Sequence, residues 1–581
     1  MARFLRGAAP LATLLLAVGG CQKWFLDQAD REVYQLIESR QQAALGETHS
    51  AELDAETGQT PTSPDLYSFA PHPVDADVPP AFRSATSAQS SRDTPAQATE
   101  GLTMPGAEMG RPELRFTLSD ALAYALRRSR EYQTAKEDLY LLALALSLER
   151  FLWTPQFSSD LSFEFADFGQ VRDFDRAMTA TATLAAEQRL PLGGTITAQV
   201  IDSWMRDLKV HTTSGETGQI ILSADIPLLR GAGRVAYESR YQAERNLIYA
   251  VRTFERFRRT FLVEIASDFF NLQALYARVT SAQAQAASLV ADFDRAKELA
   301  AKERTLQLEA DRARVDLLNA RNRVASAQEI YGTALDNFKI RLNIRPETAV
   351  ELIDEPIELF YPDATEQQAI QTALKYRLDL FNSLDAVDDA RRAVRIAQNN
   401  LLPDFNFTGS VAMNTDPGKP STVHYNTENT TWRGRFDFEV PLNRQAERND
   451  YRSAWIDLRR AERAYDQFRD GVQAEVRRAM RQIVLARISM EIQKESITIN
   501  EFRRAQARAL FDIGQVSSNR DVIEAENNLR QAKNEMARAE ADFRRTILEF
   551  LLSTGTLRVG DDGKWLSFDN QPAEAPADQD G

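Results

Sequence analysis

The sequence predicts a mixed α and β fold in which very long antiparallel helices alternate with groups of strands, in two internal repeats. The order of a short helical stretch, strand-like runs and a long helical stretch occurs twice. The long stretches contain no proline, since Pro346 is the first after Pro227, and Pro572 is the first after Pro441. The strand-like runs have about the nine to eleven residues that a tilted strand needs to cross a bilayer.

The first twenty residues, MARFLRGAAPLATLLLAVGG, predict a lipoprotein signal peptide. Arg3 and Arg6 precede an apolar core that is too short for a transmembrane helix. Cys21, the only cysteine, follows small residues and is predicted to be the lipidation site. An ordinary signal peptide followed by a chance cysteine is the alternative. Gln22 after the cysteine favours the outer membrane, by similarity to lipoprotein sorting rules.

The mature chain divides into segments of different composition. Residues 21–45 are expected to form a lipidated N-terminal segment with a short helix, and the Pro-, Ser- and Ala-rich 46–113 to form a linker. Two repeats are then separated by a connector and followed by an acidic tail. The predicted bounds are 114–345 for repeat 1 with strands in 157–227, 346–364 for the connector, 365–555 for repeat 2 with strands in 404–440, and 556–581 for the tail.

Matching motifs at matching places define the repeats. LSDALAYALRRSREY corresponds to EQQAIQTALKYRLDL, TPQF to LPDF, and DIPLLRGAGRVAY to EVPLNRQAERNDY. Pro155 and Pro403 are predicted to lie where a helix meets a strand, and Pro227 and Pro441 where a strand meets a long helix. The two halves are therefore expected to have the same architecture.

Small apolar residues spaced alternately by four and three predict coiled-coil packing of the long helices. One such series is Val472, Val476, Ala479, Ile483, Ala486 and Met490. The roughly 70 residues that precede the Gly514 break would span about 100 Å at 1.5 Å per residue. A helix of that length cannot be the core of a compact domain.

Composition and motifs exclude several classes of function. A net charge of −14 argues against nucleic acid as a partner. The chain has four histidines and lacks HExxH, CxxC, Walker and Rossmann patterns, so we expect no enzyme activity, no cofactor and no metal. No mature stretch reaches 18 apolar residues, so membrane insertion would require a closed β-barrel.

These motifs, together with DIGQVSSNRDVIEAENNL, resemble the TolC-like outer-membrane efflux protein family over about residues 114–557. The resemblance implies a homotrimer in which a transmembrane β-barrel continues into a long antiparallel α-helical barrel. It also implies an exit duct for efflux or type I secretion, lipid-anchored in the outer membrane of a Gram-negative-type cell and extending into the periplasm. The implied partners are outer-membrane lipid, a periplasmic adaptor (membrane fusion) protein and an inner-membrane RND, MFS or ABC transporter.

Repeat 1 is longer than the simplest pattern of that family. Pro155 and Pro227 are 72 residues apart, whereas Pro403 and Pro441 are 38 apart, and RLPLGGT in repeat 1 predicts an additional turn. Because the chain must return to the periplasmic side, strands come in even numbers. The hypothesis is that each subunit gives six strands and a trimer eighteen, with four per subunit as the alternative.

The resemblance also indicates residues at the periplasmic entrance. Asp521, Glu524 and Glu309 are the gate candidates, because three copies would surround one opening with carboxylates that favour cations. The alternative for the pair on one helix face is a solvated surface. Ile513, Gly514, Val516 and Ser517 are the candidates for the helix-turn tip and adaptor contact. In some relatives a basic residue at the position of Ser517 pairs with the acid at the position of Glu309 and latches the closed entrance. This chain has serine there, so the resemblance does not imply that latch.

A structural envelope lipoprotein, with helices that only span the periplasm and no conductance, is the competing function. Membrane-length strands in both repeats argue against it. Efflux and protein secretion use the same architecture, and the sequence does not separate them.

Overall fold

The computed structural model describes residues 22–53, 114–167, 176–207, 215–302, 307–353, 364–415, 425–512 and 520–564. Cys21, most of the 46–113 linker and the tip residues Ile513, Gly514, Val516 and Ser517 lie outside this part of the chain. The helices are α1 (Gln22–Leu45), α2 (Leu118–Arg128), α3 (Arg130–Phe151), α4 (Glu238–Ala301), α5 (Gln307–Arg341), α6 (Glu366–Tyr376), α7 (Leu378–Asn399), α8 (Gln445–Asp512) and α9 (Arg520–Thr554). The strands are β1 (Leu114–Phe116), β2 (Gln156–Asp167), β3 (Arg176–Arg189), β4 (Thr195–Asp207), β5 (Gly215–Pro227), β6 (Val350–Leu352), β7 (Asp404–Thr415) and β8 (Tyr425–Glu439).

The helices of the two halves have closely matched lengths. The helices α2 and α6 each have 11 residues, α3 and α7 each have 22, and α5 and α9 each have 35. The longest, α4 and α8, have 64 and 68 residues. Both 11-residue helices begin with a capping box, Thr117 with Asp120 and Thr365 with Gln368, in which side chains satisfy backbone N–H groups of the first turn.

The long helices form two hairpins, α4 with α5 and α8 with α9, and α9 also packs along α4. Small and branched apolar residues fill the seams. Val472, Val476, Ala479 and Ile483 are buried on α8, as the spacing predicts. The main core lies where α2, α3 and the first half of α4 meet, with Leu122, Leu146 and Leu247 fully buried. Among the described residues, no helix combines the length and the apolar character needed to cross a membrane.

The main sheet has six antiparallel strands in the order β2-β3-β4-β5-β7-β8. Repeat 1 contributes four of these strands and repeat 2 contributes two, so the six-strand hypothesis matches the observed sheet. Four helices join the sheet, all at the same end. The chain enters the sheet from α3 and α7, at the start of β2 and β7, and leaves it for α4 and α8, at the end of β5 and β8. Edge strands β2 and β8 have no outer neighbour within the described residues.

The sheet has one apolar face and one polar face, because its register places residues of one type side by side across all six strands. On the apolar face lie Phe157, Leu161, Phe163, Phe165, Met178, Ala180, Ala182, Leu184, Ala186, Ile196, Ala198, Val200, Trp204, Ile220, Leu222, Ala224, Phe405, Phe407, Val411, Met413, Trp432, Phe436 and Phe438. Ser159, Asp202, Glu216 and Thr430 interrupt it. The opposite face carries mainly Ser, Thr, Asn, Gln and charged side chains.

The termini of the folded part differ from the sequence prediction. Residues 46–53, expected to belong to the linker, pack on the helices, with Ala51 buried. The expected tail begins later than 556, since Leu557 and Val559 are buried in the main core. Within the expected connector, β6 pairs in parallel with β1. These segments are too short to show a hydrophobic period, so their burial comes from tertiary contacts.

Candidate functional site

The junction between helices and sheet lies at the four prolines singled out in the sequence. Pro155 lies between α3 and β2, Pro227 ends β5, Pro403 precedes β7, and Pro441 lies between β8 and α8. Proline has no N–H to donate and disfavours helix in the residue before it, so each suits the point where a helix changes to a strand or a strand to a helix.

Polar contacts join the two halves at this junction. Arg230 lies 3.4 Å from the Asp404 carboxylate, and the Gly231 N–H donates to Asn399 Oδ1 at 2.8 Å. Arg444 donates to the Leu401 carbonyl oxygen. The chain leaving β5 therefore contacts the chain entering β7, and the segment that leaves β8 contacts the end of α7.

The β3–β4 turn lies at the same end as the helices. Gly193 and Gly194 both have positive φ, +102° and +90°, which side-chain-bearing residues rarely adopt. A Cβ on Gly194 would lie 2.0 Å from the Asp225 carbonyl oxygen. The Gly233 N–H donates to the Leu192 carbonyl oxygen at 2.8 Å, so the turn packs against the start of the segment that becomes α4. Glycine is required here by both conformation and space.

The gate candidates lie far from the sheet: Glu309 and Asp521 are in the first turns of α5 and α9, and Glu524 is in the second turn of α9. Asp521 and Glu524 are both exposed on α9. Glu309 is half-buried, and Arg312 Nη1 lies 2.6 Å from its Oε1 on the same helix. The structure thus places all three acids near one end of the hairpins and gives Glu309 a partner within its own helix.

Polar contacts between the hairpins occur close to this end. Gln285 of α4 donates to Asn527 Oδ1 of α9 at 2.6 Å, and Ser288 donates to Glu526 at 3.2 Å. Leu289 is buried beside Ile523 in the same seam. These contacts hold the second hairpin against the first.

Two partly buried carboxyl groups, Glu526 and Asp292, lie at these contacts. Burial raises the pKa of Glu526, and the nearby charge of Asp292 raises it further, against the hydrogen bond from Ser288 and the charge of Arg508. Burial likewise raises the pKa of Asp292. Protonation of either group would therefore favour the observed packing of the hairpins.

Sequence reasoning missed the contacts between α4 and α9. Gln285, Ser288 and Asn527 are ordinary polar residues of helices that are rich in them, and no local pattern distinguishes the ones in the seam. The seam pattern gave no signal for these contacts, because Glu526 and Asn527 lie one and two residues from the seam position Ala525 and so do not share its face. The sequence alone did not show that the α8–α9 hairpin packs against α4 here.

A cluster of charged residues binds the N-terminal segment and the C-terminal segment to α4. His49 lies 3.3 Å from Asp561 through Nδ1, and 3.6 Å from both Glu47 and Glu255 through Nε2. The arginines of the cluster are Arg258, Arg259 and Arg558, which pair with Asp561, Glu255 and Glu47. We call these seven residues the His49 cluster.

Glu47, His49 and Glu255 each offer a ligand atom within 4.8 Å of the others, a spacing that could hold a metal ion. The surrounding arginines oppose a cation there. Arg258 and Arg259 are almost fully buried, and their guanidinium groups are already paired with the same carboxylates. A buried ion network therefore accounts for the residues better than a metal site does.

The long helices also expose large apolar side chains away from the hairpin seams. On α8 these include Leu485 at 67% and Phe502 at 70% exposure. Together with the exposed aromatic residues of the sheet, they give the isolated chain more apolar surface than a soluble monomer usually carries. Such surfaces are typical of a chain that is covered by lipid or by other copies.

Comparisons with known proteins agree with this architecture. Residues 369–556 match the outer membrane efflux protein family. The structure is similar to the CmeC outer membrane channel of Campylobacter jejuni, with TM-score 0.58 and 15% identity over 75% of this chain and 85% of that chain. It is also similar to the outer membrane protein VceC of Vibrio cholerae, with TM-score 0.55 and 13% identity over 75% of this chain and 96% of that chain.

The open-state MtrE outer membrane channel of Neisseria gonorrhoeae gives TM-score 0.55 and 14% identity, over 75% of this chain and 88% of that chain. Among curated proteins, none matches this chain by sequence. At such low identity the solved structures establish the fold alone, and the family match covers residues 369–556. The resemblance predicted from the sequence is confirmed: residues 369–556 match the outer membrane efflux protein family, and the fold is similar to that of solved outer-membrane channels.

Proposed function

We propose that the chain is one subunit of a homotrimeric outer-membrane exit duct that passively conducts substrates across the periplasm and the outer membrane. The two-faced six-stranded sheet, continuous with helices of 64 and 68 residues, carries this proposal. At 1.5 Å per residue these helices span about 100 Å, which is far longer than a compact domain requires. The sheet provides the membrane part of the duct and the hairpins provide its periplasmic part.

The dimensions of the apolar face support its contact with lipid. The apolar positions of β2 run from Phe157 to Phe165 and those of β3 from Met178 to Ala186, nine residues each. Nine residues at about 3.3 Å, tilted by about 40°, give a height of about 23 Å, close to the roughly 25 Å apolar band of outer-membrane barrels. The polar face then lines the lumen, as it does in porins.

The open edges of the sheet support assembly into a closed barrel. Unpaired backbone groups are not tolerated in the hydrocarbon region, so β2 and β8 require neighbours. Three copies would give eighteen strands, and the even number per copy keeps every neighbour antiparallel. The exposed apolar residues of α8 would be covered by the helices of adjacent copies in the same assembly.

The matched lengths of the helices support two repeats that arose from one unit. Equal pairs of 11, 22 and 35 residues with equivalent caps are difficult to explain otherwise. The β3–β4 hairpin is then an insertion in repeat 1. The proposed domains are those predicted from the sequence, with residues 46–53 and 556–564 added to the folded helical part because Ala51, Leu557 and Val559 are buried.

The partners follow from the two ends of the duct. We propose that Cys21 carries lipid that anchors the chain in the outer membrane, and that Ile513, Gly514, Val516 and Ser517 contact a periplasmic adaptor protein. An inner-membrane RND, MFS or ABC transporter would supply the energy. Asp521, Glu524 and Glu309 are the proposed gate, and the α4–α9 contacts are the proposed latch that holds the second hairpin in place.

Conductance of the purified protein in a planar lipid bilayer tests the proposal. A duct gives discrete channel openings, whereas the structural-lipoprotein alternative predicts a folded protein that does not conduct. The folded state is checked by circular dichroism and the oligomeric state by light scattering on the same sample. A correctly folded trimer without conductance would reject the duct.

A further inference from the structure

We propose that β8 of one copy pairs with β2 of the next in a defined register, in which Asp160 faces Arg435, and Arg433 lies between Asp160 and Glu164. This inference rests on the proposed barrel and specifies how its copies recognise one another. The partner is a second copy of this chain, and the contact lies on the lumen side of the wall.

The sheet cannot satisfy its own edges. Strand β2 has 12 residues and β8 has 15, and each offers a full row of backbone donors and acceptors on its outer side. About eight strands already make a barrel whose interior is filled by side chains, so six strands would leave no room for a polar lumen. A second copy can pair with both edges, because β2 and β8 run in opposite directions.

The two edges carry complementary charges on the polar face. In β2 the charged residues of that face are Asp160 and Glu164, both exposed. In the middle of β8, the same face carries Arg433 and Arg435, also exposed. Arg435 Nε donates to Asp437 Oδ1 along its own strand at 2.6 Å, and the Arg435 side chain remains 76% exposed.

The two-faced pattern restricts the register. To keep each face uniform, an even-numbered residue of β2 must lie opposite an odd-numbered residue of β8. Aligning the helix-side ends, Gln156 with Glu439, places Asp160 opposite Arg435 and Ser162 opposite Arg433. Arg433 is then diagonal to both Asp160 and Glu164, a separation that a long side chain can bridge.

The apolar face fits the same register by size. Phe163 falls opposite Trp432 and Phe157 opposite Phe438, which gives two aromatic pairs. Between these pairs, Leu161 falls opposite Gly434 and Ser159 opposite Phe436, so a large side chain meets a small one each time. Ser159, which interrupts the apolar face within one copy, is the position that leaves room for the Phe436 ring of the neighbour. A shift of two residues one way places Leu161 against Phe436, and a shift the other way places Ser159 against Gly434.

Charge reversal tests the recognition between copies. The double variant Asp160→Lys with Glu164→Lys, or Arg433→Glu with Arg435→Glu, is expected to lose SDS-resistant trimers, and combining all four changes is expected to restore them. Glu187→Lys, on the same face but in the interior strand β3, is the matched control and is expected to keep the trimer. Failure of the fourfold variant to recover trimers beyond either double variant would overturn the charge pairing.

Cysteine cross-linking tests the register. Under mild oxidation, Ser162→Cys with Arg433→Cys is expected to link neighbouring copies into covalent oligomers, while Ser162→Cys with Thr431→Cys or with Arg435→Cys is not. Cross-linking of a shifted pair in a conducting trimer would overturn the register and leave the duct intact. A folded protein that stays monomeric and does not conduct would instead reject the duct itself.

Discussion

Protonation of His49 is predicted to hold the N-terminal and C-terminal segments against α4. Burial of the imidazole lowers its pKa, but the hydrogen bonds to Asp561 and Glu47 and the charge of Glu255 outweigh this and raise the pKa to about 9. The same contacts lower the pKa of Glu47 and of Asp561. The packed state therefore prefers the charged imidazole.

The sign of the pH dependence follows from this preference. A group whose pKa rises on packing stabilises the packed state fully below its ordinary pKa of 6.5, and loses that contribution as the pH rises through about 9. The difference between 6.5 and about 9 corresponds to roughly 3 kcal/mol, an upper limit for the free energy that charged His49 contributes to packing.

Hydrogen exchange of the peptides that cover 46–53 and 557–561 measures this packing, between pH 6 and pH 9.5. After correction for intrinsic exchange rates, protection in the wild type is expected to fall across this range, by up to about 100-fold. His49→Gln keeps a polar side chain but removes the titration, so its protection should be lower at pH 6 and nearly independent of pH. Burial also lowers the pKa of Arg558 to about 10. Arg558 is present in both proteins, so its titration contributes equally to the two pH profiles. Equal pH dependence in the two proteins would refute the reasoning.

Three further predictions concern the duct itself. Replacing the gate candidates, Asp521→Asn with Glu524→Gln, should lower cation selectivity in bilayer recordings, and unchanged selectivity would assign both to the solvated surface. Gly194→Ala should destabilise the protein by more than about 1 kcal/mol in thermal denaturation, because Gly194 has a positive φ and an added Cβ would meet the Asp225 carbonyl oxygen. The control Gly332→Ala lies in open space on α5 and should be neutral or stabilising. Val200→Arg should impair membrane insertion by about 2–4 kcal/mol in urea-refolding titrations into lipid vesicles. The control Gln199→Arg, on the polar face, should not impair it. Equal effects of the two variants would contradict a lipid-facing apolar surface.

The sequence predicted the elements that carry a local signal. Pro155, Pro227, Pro403 and Pro441 show where helices and strands meet, because proline restricts the backbone wherever it occurs. The strands were visible in their period of two, and the additional hairpin of repeat 1 was visible in its length and in Gly193-Gly194. Such features depend on neighbours in sequence and require no knowledge of the fold.

The contacts that depend on distant segments could not be read in this way. His49 lies in a stretch without periodicity, and its partners come from Glu255 and Asp561, far away in the chain. Gln285 and Asn527 meet only because the two hairpins lie side by side. The sequence also placed the start of the tail too early, because the burial of Leu557 and Val559 depends on the core formed by the first repeat.

In the proposed trimer, the six strands of each copy and the four helices attached to them would cover nearly equal arcs. Strands spaced by about 4.8 Å and tilted by about 40° give about 38 Å of wall per copy, whereas four strands would give about 25 Å. Four helices side by side, at 8–10 Å between axes, cover about 32–40 Å. In the proposed trimer, the β3–β4 hairpin would let the circumference continue from sheet to helices without a taper. The proposed duct would then keep its width through the junction, and its bore would be restricted at the far end of the hairpins.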